Sequence, residues 1–332
     1  MSNTTDIFTE LGRRMAAFDG LSDSAHRDVG QAARNLAADM LSREGLDRWL
    51  ADYPWAPIAE PSNVLIVTAG NIPFVGLQDL ICTLAAGHRA IVKPSSKDYE
   101  NMSWVVGQLK DISPQLPVTL TTNFQFSIFN FQLDAVLAMG GDEAVSAIGE
   151  RYAGVPMLLR GHRSSLAVLE GTESAPELDA LAADVLTYSG LGCRDVSLVF
   201  VPRGYDLSSL ASALSQREGL VDDRFRNNRR QARALMRMTA TPHIDCGTCL
   251  LTEQRDFPNN PTTLNCTFYD SPKEVTEWIE QHDHDIQCVA TNFQFSIFNF
   301  QLNRVVKLGA TQRPTLADYP DGRDTMQFLK SV

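Results

Sequence analysis

Apolar residues recur at every third or fourth position through the first part of the chain. One set is Ile7, Leu11, Met15 and Phe18, and the next is Val29, Ala33, Leu36, Met40 and Leu41. This spacing places each set along one face of an α-helix. The pattern therefore predicts a helical preface over residues 5–52, which ends at the proline-containing bend of residues 53–61.

Downstream of this bend, short apolar runs alternate with amphipathic segments. Strands are predicted at residues 64–68, 90–92 and 133–139, with helices at 75–86 and 99–110. Such alternation indicates a parallel sheet covered by helices on both faces. The loops that follow the strands, AGN, KPSS and MGGDE, should line one crevice, where a dinucleotide would bind. No Gly-x-Gly-x-x-Gly fingerprint is present, so the pattern does not support an ordinary Rossmann dehydrogenase.

The alternation continues through the runs MLLR, SSLAVLEG and VSLVFVP, with a helix predicted at residues 176–188. Between that helix and the last run, the sequence Gly-Leu-Gly-Cys-Arg places Cys193 on a loop that leads into a strand. Catalytic residues are commonly carried by loops that rigid elements hold in place. The pattern therefore makes Cys193 a candidate nucleophile.

A cysteine attacks as its thiolate, so a reactive one needs positive charge, backbone donors or a base nearby. Arg194 and the amides freed by Gly190 and Gly192 are candidates for the first two. The alternative is a buried, inert cysteine beside a glycine-rich turn, and the local sequence does not decide between the two. The reaction would also need an oxyanion donor, which the Asn71 amide could supply if the two domains face each other.

Two further patterns remain ambiguous. Arg229, Arg233 and Arg237 recur every fourth residue, either as a solvated helix face or as a phosphate contact for a nucleotide or CoA. Cys246 and Cys249 form a Cys-x-x-Cys pair that could bind zinc or carry redox chemistry. No second pair follows at the usual spacing, so we predict no metal site.

The segment TNFQFSIFNFQL occurs twice without a change, at Thr122–Leu133 and Thr291–Leu302. The copies contain no proline, glycine or charged residue, and as extended strands they would be apolar on both faces. Exposed strands of this kind aggregate, whereas the alternative is a pair of buried strands. Because an ancient duplication would have diverged, we interpret the copies as grafted or otherwise artificial segments.

Composition excludes several classes of protein. The chain has 332 residues, 44% of them hydrophobic and 21% charged, and a net charge of -11. This charge argues against nucleic-acid or anionic-membrane partners. No run of about 18 apolar residues and no apolar leader is present, so we expect a cytoplasmic protein without a membrane span. The six cysteines are then expected as thiols rather than disulfides.

Several ordered blocks together resemble the acyl-CoA reductases of the bacterial luminescence fatty-acid reductase type, within the aldehyde dehydrogenase superfamily. These blocks are AGNIPFVGLQDLICTLAAGHRAIVKPSSKD, DAVLAMGGDEAV, LRGHRSSLAVLEG, LTYSGLGCRDVSLVFVPRGYD, DIQCV and GATQRPTLADYPDGRDTMQFL. The resemblance implies an α/β fold of two Rossmann-like domains with parallel sheets and a helical N-terminal preface. The implied domains are an NAD(P)-binding domain with the preface at residues 1–160, a catalytic domain at 161–310 and a segment at 311–332 that packs back near the active site.

The resemblance implies that Cys193 is the acylated nucleophile and that Asn71 is the oxyanion asparagine. In ordinary aldehyde dehydrogenases, a glutamate before a Gly-Gly pair activates the water that hydrolyses the acyl-enzyme. The matching stretch here is LLRGHR, so Arg160 or its neighbour stands where that base would be. A missing base fits reduction of a thioester, for which hydrolysis would waste the intermediate.

The resemblance further implies that Lys93 and Ser95 bind the adenosine ribose and 2'-phosphate region of NADPH, with NADH as the alternative cofactor. Gly140 and Gly141 would lie against its phosphates or nicotinamide. The implied substrate is a long-chain fatty acyl-CoA or acyl-protein thioester, and an acyl-transferring partner enzyme and a homo-oligomer are expected. The alternatives are an aldehyde dehydrogenase that works oxidatively and a catalytically impaired variant that serves as a scaffold or self-assembling module.

Overall fold

The computed structural model describes residues 4–21, 28–54, 58, 60–122, 132–293 and 304–332. The interpretation of the two phenylalanine-rich copies therefore falls largely outside the described residues. The chain divides into two compact units. Unit 1 comprises Met1–His162 and Arg313–Val332, and unit 2 comprises Arg163–Gln312.

The predicted preface of unit 1 is helical. Its helices are α1 (Thr4–Ala16), α2 (Val29–Asp39) and α3 (Arg43–Ala51). Leu11, Met15 and Ala33 from the predicted apolar faces are fully buried. At the start of α3, the side chain of Ser42 accepts a hydrogen bond from the amide of Gly45 at 3.3 Å and so caps the helix.

The remainder of unit 1 alternates strands and helices as predicted. Its elements are β1 (Asn63–Val67), α4 (Leu77–Ala85), β2 (Arg89–Lys93), α5 (Tyr99–Ile112), β3 (Val118–Leu120), β4 (Ala135–Met139), α6 (Asp142–Arg151), β5 (Met157–Arg160) and α11 (Thr325–Lys330). The strands form a parallel sheet in the order β3-β2-β1-β4-β5. The order of the strands reverses between β1 and β4, and ligands of open α/β sheets bind at such a switch point.

Two strands of this sheet differ from the prediction. The short strand β3 is not predicted, because its three residues, VTL, carry too little apolar pattern. The strand predicted from Leu133 begins at Ala135, because the Asp134 side chain instead accepts a hydrogen bond from the amide of Asn63 at 2.7 Å. The strand therefore starts after that polar contact.

Unit 2 is built on a second, mostly parallel sheet. Its elements are β6 (Ser164–Val168), α7 (Ala175–Leu186), β7 (Val196–Pro202), α8 (Leu207–Ser215), α9 (Asp223–Met238), β8 (Ile244–Asp245), β9 (Leu250–Glu253), β10 (Thr263–Tyr269), α10 (Pro272–Gln281), β11 (Ile286–Ala290) and β12 (Val305–Val306). Its strand order is β12-β11-β6-β7-β10-β9-β8, and β8 pairs antiparallel to β9.

Both faces of this sheet are covered. Along β7, Val199 and Val201 pack into a core with α7 and α8, whereas Leu198 and Phe200 pack into another with α10. Alternate residues of one strand thus serve two cores, which is the burial expected of a parallel sheet between helices. Among the described helices, none is long and apolar enough to cross a membrane.

Candidate active site

The loop that carries Cys193 begins with an unusual backbone turn. Helix α7 ends at Leu186, and the 3₁₀ turn Thr187–Gly190 follows it. Tyr188 and Ser189 both adopt left-handed conformations, with φ of 53° and 58°. This conformation costs a residue with a side chain roughly 1–2 kcal/mol. The helix predicted to run through Tyr188 is therefore too long, because these residues turn the chain away from the helix axis.

Gly190 continues the left-handed turn with a φ of 64°. A Cβ atom at this position would lie 2.9 Å from the carbonyl oxygen of Pro261, which is too close for any other residue. The turn thus packs tightly against the chain that precedes β10 while Cys193 itself stays at the surface.

Cys193 differs from the other cysteines in its exposure. All six lie in described parts of the chain, and Cys193 is exposed whereas the other five are buried. Burial raises the pKa of Cys266 to about 12 and that of Cys82 well above its usual range, so these thiols stay protonated near neutral pH. The alternative of a buried, inert cysteine therefore does not apply to Cys193.

Neighbouring elements of unit 2 hold the Cys193 loop. The hydroxyl of Ser165 on β6 donates to the carbonyl oxygen of Cys193 at 2.9 Å and accepts from the amide of Cys288 on β11 at 3.2 Å. Arg194 donates from Nε to the carbonyl oxygen of Thr311. The Arg194 guanidinium, which is predicted to bring positive charge near the thiol, thus ties the loop to the chain after β12.

The predicted residues of unit 1 lie at one edge of its sheet. Lys93 is the last residue of β2 and Ser95 follows it, while Asn71 follows β1 and Gly140 and Gly141 follow β4. Because β1 lies between β2 and β4 and all three strands run parallel, these residues meet at the carboxyl edge around the switch point. The structure therefore brings together the predicted residues of this unit.

The loops after β1 and β2 support each other. A Cβ atom at Gly70 would lie 2.5 Å from Ser95 Oγ, so a glycine is needed where the loops touch. Asp98 accepts hydrogen bonds from the amide of Phe74 at 2.9 Å and from Asn101 Nδ2 at 2.7 Å. Phe74 has a φ of 59°, so the Asp98 carboxyl group stabilises a strained residue in the loop that carries Asn71. The sequence pattern had not singled out Asp98.

Asp98→Asn is expected to weaken the dependence of stability on pH. Burial raises the pKa of Asp98 from 3.8 to about 7. The unfolded chain releases this proton near the lower value and the folded chain near the higher one, so the free energy of unfolding falls as the pH rises between them. Urea unfolding at about pH 5 and about pH 8 measures the change. If the free energy of unfolding of the variant changed with pH as much as that of the unaltered protein, the role of Asp98 would be contradicted. Asp52→Asn, at an exposed aspartate, is the control.

The edge of the unit 1 sheet has features that fit a nucleotide cofactor. The buried hydroxyl of Thr68, directly after β1, has no hydrogen-bond partner among the described residues. A Cβ atom at Gly141 would meet nothing within 4 Å, so there is space beside the end of β4. Lys93 brings a half-buried ammonium group, and burial lowers its pKa. The edge therefore offers the charge, hydroxyl group and space that a nucleotide cofactor requires.

Arg160 is part of a buried ion pair within unit 1. Its Nη1 lies 2.9 and 2.7 Å from the two carboxylate oxygens of Asp79 on α4, and its Nη2 donates to Thr325 Oγ1 on α11 at 2.7 Å. The Arg160 and Asp79 side chains are 2% and 0% exposed. The side chain therefore links α4, β5 and α11, and a guanidinium group cannot act as a base.

The arginine series and the Cys-x-x-Cys pair that the sequence analysis described both lie in unit 2. Arg229 and Arg233 on α9 both form ion pairs with Asp245 of β8, so these two side chains serve the packing of the unit. Cys246 and Cys249 are buried in the core around α7 and α8. Within the described ranges, no group of three or more His, Cys, Asp or Glu side chains could hold a metal ion.

The chain matches the model of a known protein family. The model of the family described as acyl-CoA reductase (LuxC) matches residues 9–218. The long-chain acyl-protein thioester reductase of Aliivibrio fischeri is 26% identical over 176 residues, which are 49% of this chain and 36% of that protein. Long-chain acyl-protein thioester reductase 2 of Photobacterium leiognathi is 23% identical over 168 residues, 47% and 35% of the two chains. The matched region is thus about a third of the length of each relative.

Solved structures show the same fold at low sequence identity. NADP-dependent glyceraldehyde-3-phosphate dehydrogenase from Bacillus halodurans, in complex with NADP, has a TM-score of 0.64 at 14% identity, over 87% of this chain and 73% of that one. Methylmalonate-semialdehyde dehydrogenase from Oceanimonas doudoroffii has a TM-score of 0.67 at 12% identity, over 94% and 77% of the two chains. The predicted aldehyde-dehydrogenase-like α/β fold is confirmed.

Proposed function

Because the chain belongs to the acyl-CoA reductase (LuxC) family, we propose that it reduces a fatty acyl thioester to an aldehyde through an acyl group carried on Cys193. The observation that carries this proposal is the exposure of Cys193 on the loop that follows a left-handed turn, while the other five cysteines are buried. Only an exposed thiol can meet a thioester substrate without rearrangement of the core. The names of the relatives support a long-chain acyl-protein thioester as substrate, and acyl-CoA is the other candidate.

In the first step, the Cys193 thiolate attacks the carbonyl carbon of the substrate. A new carbon–sulfur bond forms, the bond to the substrate's own sulfur breaks, and the departing thiolate takes up a proton. The proposed donors to the oxyanion are the side-chain amide of Asn71 and the backbone N–H of Cys193. The covalent intermediate divides the reaction into acylation and reduction, and each of these steps is easier than direct displacement of the substrate's thiolate by hydride.

Lys93 and Ser95 are the proposed residues for the adenosine ribose and 2'-phosphate region of NADPH. A lysine ammonium group suits a phosphate, which favours NADPH over NADH. Asp142 and Glu143 occupy the first turn of α6, directly after Gly140 and Gly141, and their carboxylates disfavour phosphates there. We therefore favour the nicotinamide as the neighbour of these glycines. When bound, the cofactor supplies the hydride that reduces the acyl carbonyl.

The chemistry of Arg160 supports reduction over hydrolysis. The resemblance aligns the region of Arg160 with the glutamate that activates water in oxidative dehydrogenases. Arg160 is instead paired with Asp79 inside unit 1. Because the guanidinium of Arg160 cannot take a proton from water, this position does not activate water for attack on the acyl group, so the acyl group on Cys193 would persist until hydride arrives.

Asn71→Ala is expected to lower kcat by roughly 10²-fold or more with a smaller effect on KM, because the oxyanion develops in the transition state. Steady-state kinetics of the two proteins give both constants. Asn259→Ala, at an exposed asparagine of unit 2, is the matched control and should leave both constants unchanged. A variant whose loss lies wholly in KM would contradict the assigned role of Asn71.

Product analysis tests the proposed function itself. The protein is incubated with acyl-CoAs of graded chain length and either NADPH or NADH, and both cofactor consumption and products are measured. The proposal predicts aldehyde in equal amount to oxidised cofactor, and faster turnover with NADPH. Acid formed from added aldehyde and oxidised cofactor, without the reductive reaction, would instead support an oxidative aldehyde dehydrogenase. No turnover and no cofactor binding would support the scaffold alternative.

A further inference from the structure

The strained turn before Cys193 needs support from its surroundings. Two left-handed residues with side chains, Tyr188 and Ser189, precede the loop. Such strain persists only where neighbouring contacts over-determine the conformation. Ser189 provides one contact, because its hydroxyl accepts from the amide of Asp222 at 3.2 Å. This bond stabilises the turn before Cys193. The conformation of the loop that carries Cys193 depends on other contacts.

Asp195, two residues after Cys193, closes the loop by bonds to Gly192. Its side chain is buried, at 4% exposure, although it lies two residues from the exposed thiol. Its Oδ2 accepts from the amide of Gly192 at 2.6 Å, and its own amide donates to the carbonyl oxygen of Gly192 at 3.0 Å. Asp195 therefore bonds to both polar backbone groups of the residue before Cys193, so that Gly192, Cys193 and Arg194 form a closed loop.

The carboxyl group of Asp195 is itself held in place. Its Oδ1 accepts from Gln312 Nε2 at 2.6 Å. Burial and the proximity of Asp184 raise the pKa of Asp195 well above its ordinary range. A buried polar group that loses a hydrogen-bond partner lowers the stability of the fold, so the bonds from Gln312 and Gly192 hold the Asp195 carboxyl group in place.

Gln312 belongs to the segment Gly309–Gln312, which a second buried carboxylate anchors. Asp184 on α7 accepts from the amide of Gly309 at 2.6 Å, and from the amide and hydroxyl of Thr311 at 3.1 and 2.7 Å. Gly309 has a φ of 86°, and a Cβ atom there would lie 2.9 Å from Cβ of Ala180. The segment therefore packs closely on α7, and Thr311 also accepts the hydrogen bond from Arg194.

We propose that Asp195 is a positioning residue for the reaction at Cys193, and that the segment Gly309–Gln312 is the brace through which it acts. The inference rests on the proposed function, because it concerns acylation of Cys193. The Asp195 carboxyl group holds the amide of Gly192, and the backbone amide of Asp195 holds the Gly192 carbonyl oxygen. Together these two bonds fix the chain that leads into Cys193, and thereby the direction of the thiol and of the Cys193 amide. The brace also gives a role to the sequence GATQ.

Acylation without cofactor tests the inference. Asp195→Ala removes both acceptor atoms of the carboxyl group. Because a small misplacement of the reacting atoms slows a reaction strongly, the rate of acylation at saturating acyl-CoA should fall by roughly 10-fold or more. The acyl-CoA concentration that gives half of the maximal rate should change little. Alkylation of the same thiol by iodoacetamide, which needs no fixed geometry, should change less than about 3-fold. Equal losses in the two reactions, or no loss of acylation, would overturn the inference.

Two further variants separate positioning from stability. Asp195→Asn keeps a carbonyl acceptor for Gly192, and its amide can donate to Gln312 after rotation of that side chain, so most of the acylation rate should return. Gln312→Ala removes one partner and should give an intermediate loss, which keeps the inference testable if Asp195→Ala does not fold. Full activity in Gln312→Ala, or no recovery in Asp195→Asn, counts against it.

Asn265→Ala is the matched control for lost buried polar contacts. Asn265 lies on β10 and is 5% exposed; its Oδ1 accepts a hydrogen bond from the Thr252 hydroxyl, and its Nδ2 donates to the carbonyl oxygen of Asp256. It should lower stability without lowering the acylation rate of the folded protein. Absence of acylation in the unaltered protein would instead refute the proposed function, so the two failures are distinguishable.

Discussion

Replacement of Cys193 by alanine is expected to abolish acylation by labelled acyl-CoA and to lower aldehyde formation by at least about 10⁴-fold. The variant lacks the sulfur that carries the acyl group, and the other five cysteines are buried. Cys193→Ser should lose both reactions as well, because a hydroxyl group near its ordinary pKa is a much weaker nucleophile than a thiolate. Radiolabel incorporation and aldehyde release measure the two steps separately.

Cys82→Ala is the control for this experiment. Cys82 lies in the core of unit 1, and burial raises the pKa of its thiol well above the ordinary range. This variant should be acylated like the unaltered protein at temperatures where it is folded. Iodoacetamide should modify one thiol in the native protein and none in Cys193→Ala. Retained acylation in Cys193→Ala would refute the assignment of the nucleophile.

Asp79→Ala is expected to lower the free energy of unfolding by about 3–5 kcal/mol. The substitution leaves the guanidinium of Arg160 buried and hydrogen-bonded to Thr325 but without its counter-ion, and a buried charge without a counter-ion is strongly destabilising. The loss should exceed that from any exposed ion pair of the chain. Urea unfolding of the purified variants measures it.

Two controls define this expectation. The double variant Asp79→Leu/Arg160→Met replaces the pair with apolar side chains of similar size and should recover much of the loss. Glu44→Ala breaks an exposed pair with Arg48, whose side chains are 84% and 75% exposed, and should cost less than about 1 kcal/mol. If Asp79→Ala costs no more than Glu44→Ala, the pair does not stabilise unit 1 as described.

The sequence predicts several strands of each sheet, up to β7, because buried parallel strands are continuous apolar runs, such as Leu65–Val67 and Leu198–Val201. It also predicts the grouping of Asn71, Lys93 and Gly140, because parallel strands place the loops after them at one edge. These features depend on local pattern and on one general rule of topology. They therefore need no knowledge of distant contacts.

Other features depend on contacts between residues far apart in the chain. Helix α7 stops at Leu186, two residues before its predicted end, and the turn that follows packs against Pro261 at Gly190. Asp184 and Asp195 read as ordinary polar positions in the sequence, yet they are buried by the segment after β12. Local periodicity contains no information on such partners, so the supports of the Cys193 loop emerged only from the structure.

The proposal that Cys193 carries an acyl group from thioester to aldehyde can be tested in a single measurement. Intact-protein mass spectrometry follows the protein mixed with acyl-CoA alone and then with NADPH, and peptide mapping locates the adduct. The account predicts a mass gain of one acyl group on the peptide with Cys193, which disappears on addition of NADPH as an equal amount of aldehyde forms. No adduct, an adduct on another residue, or its release as fatty acid would contradict the account.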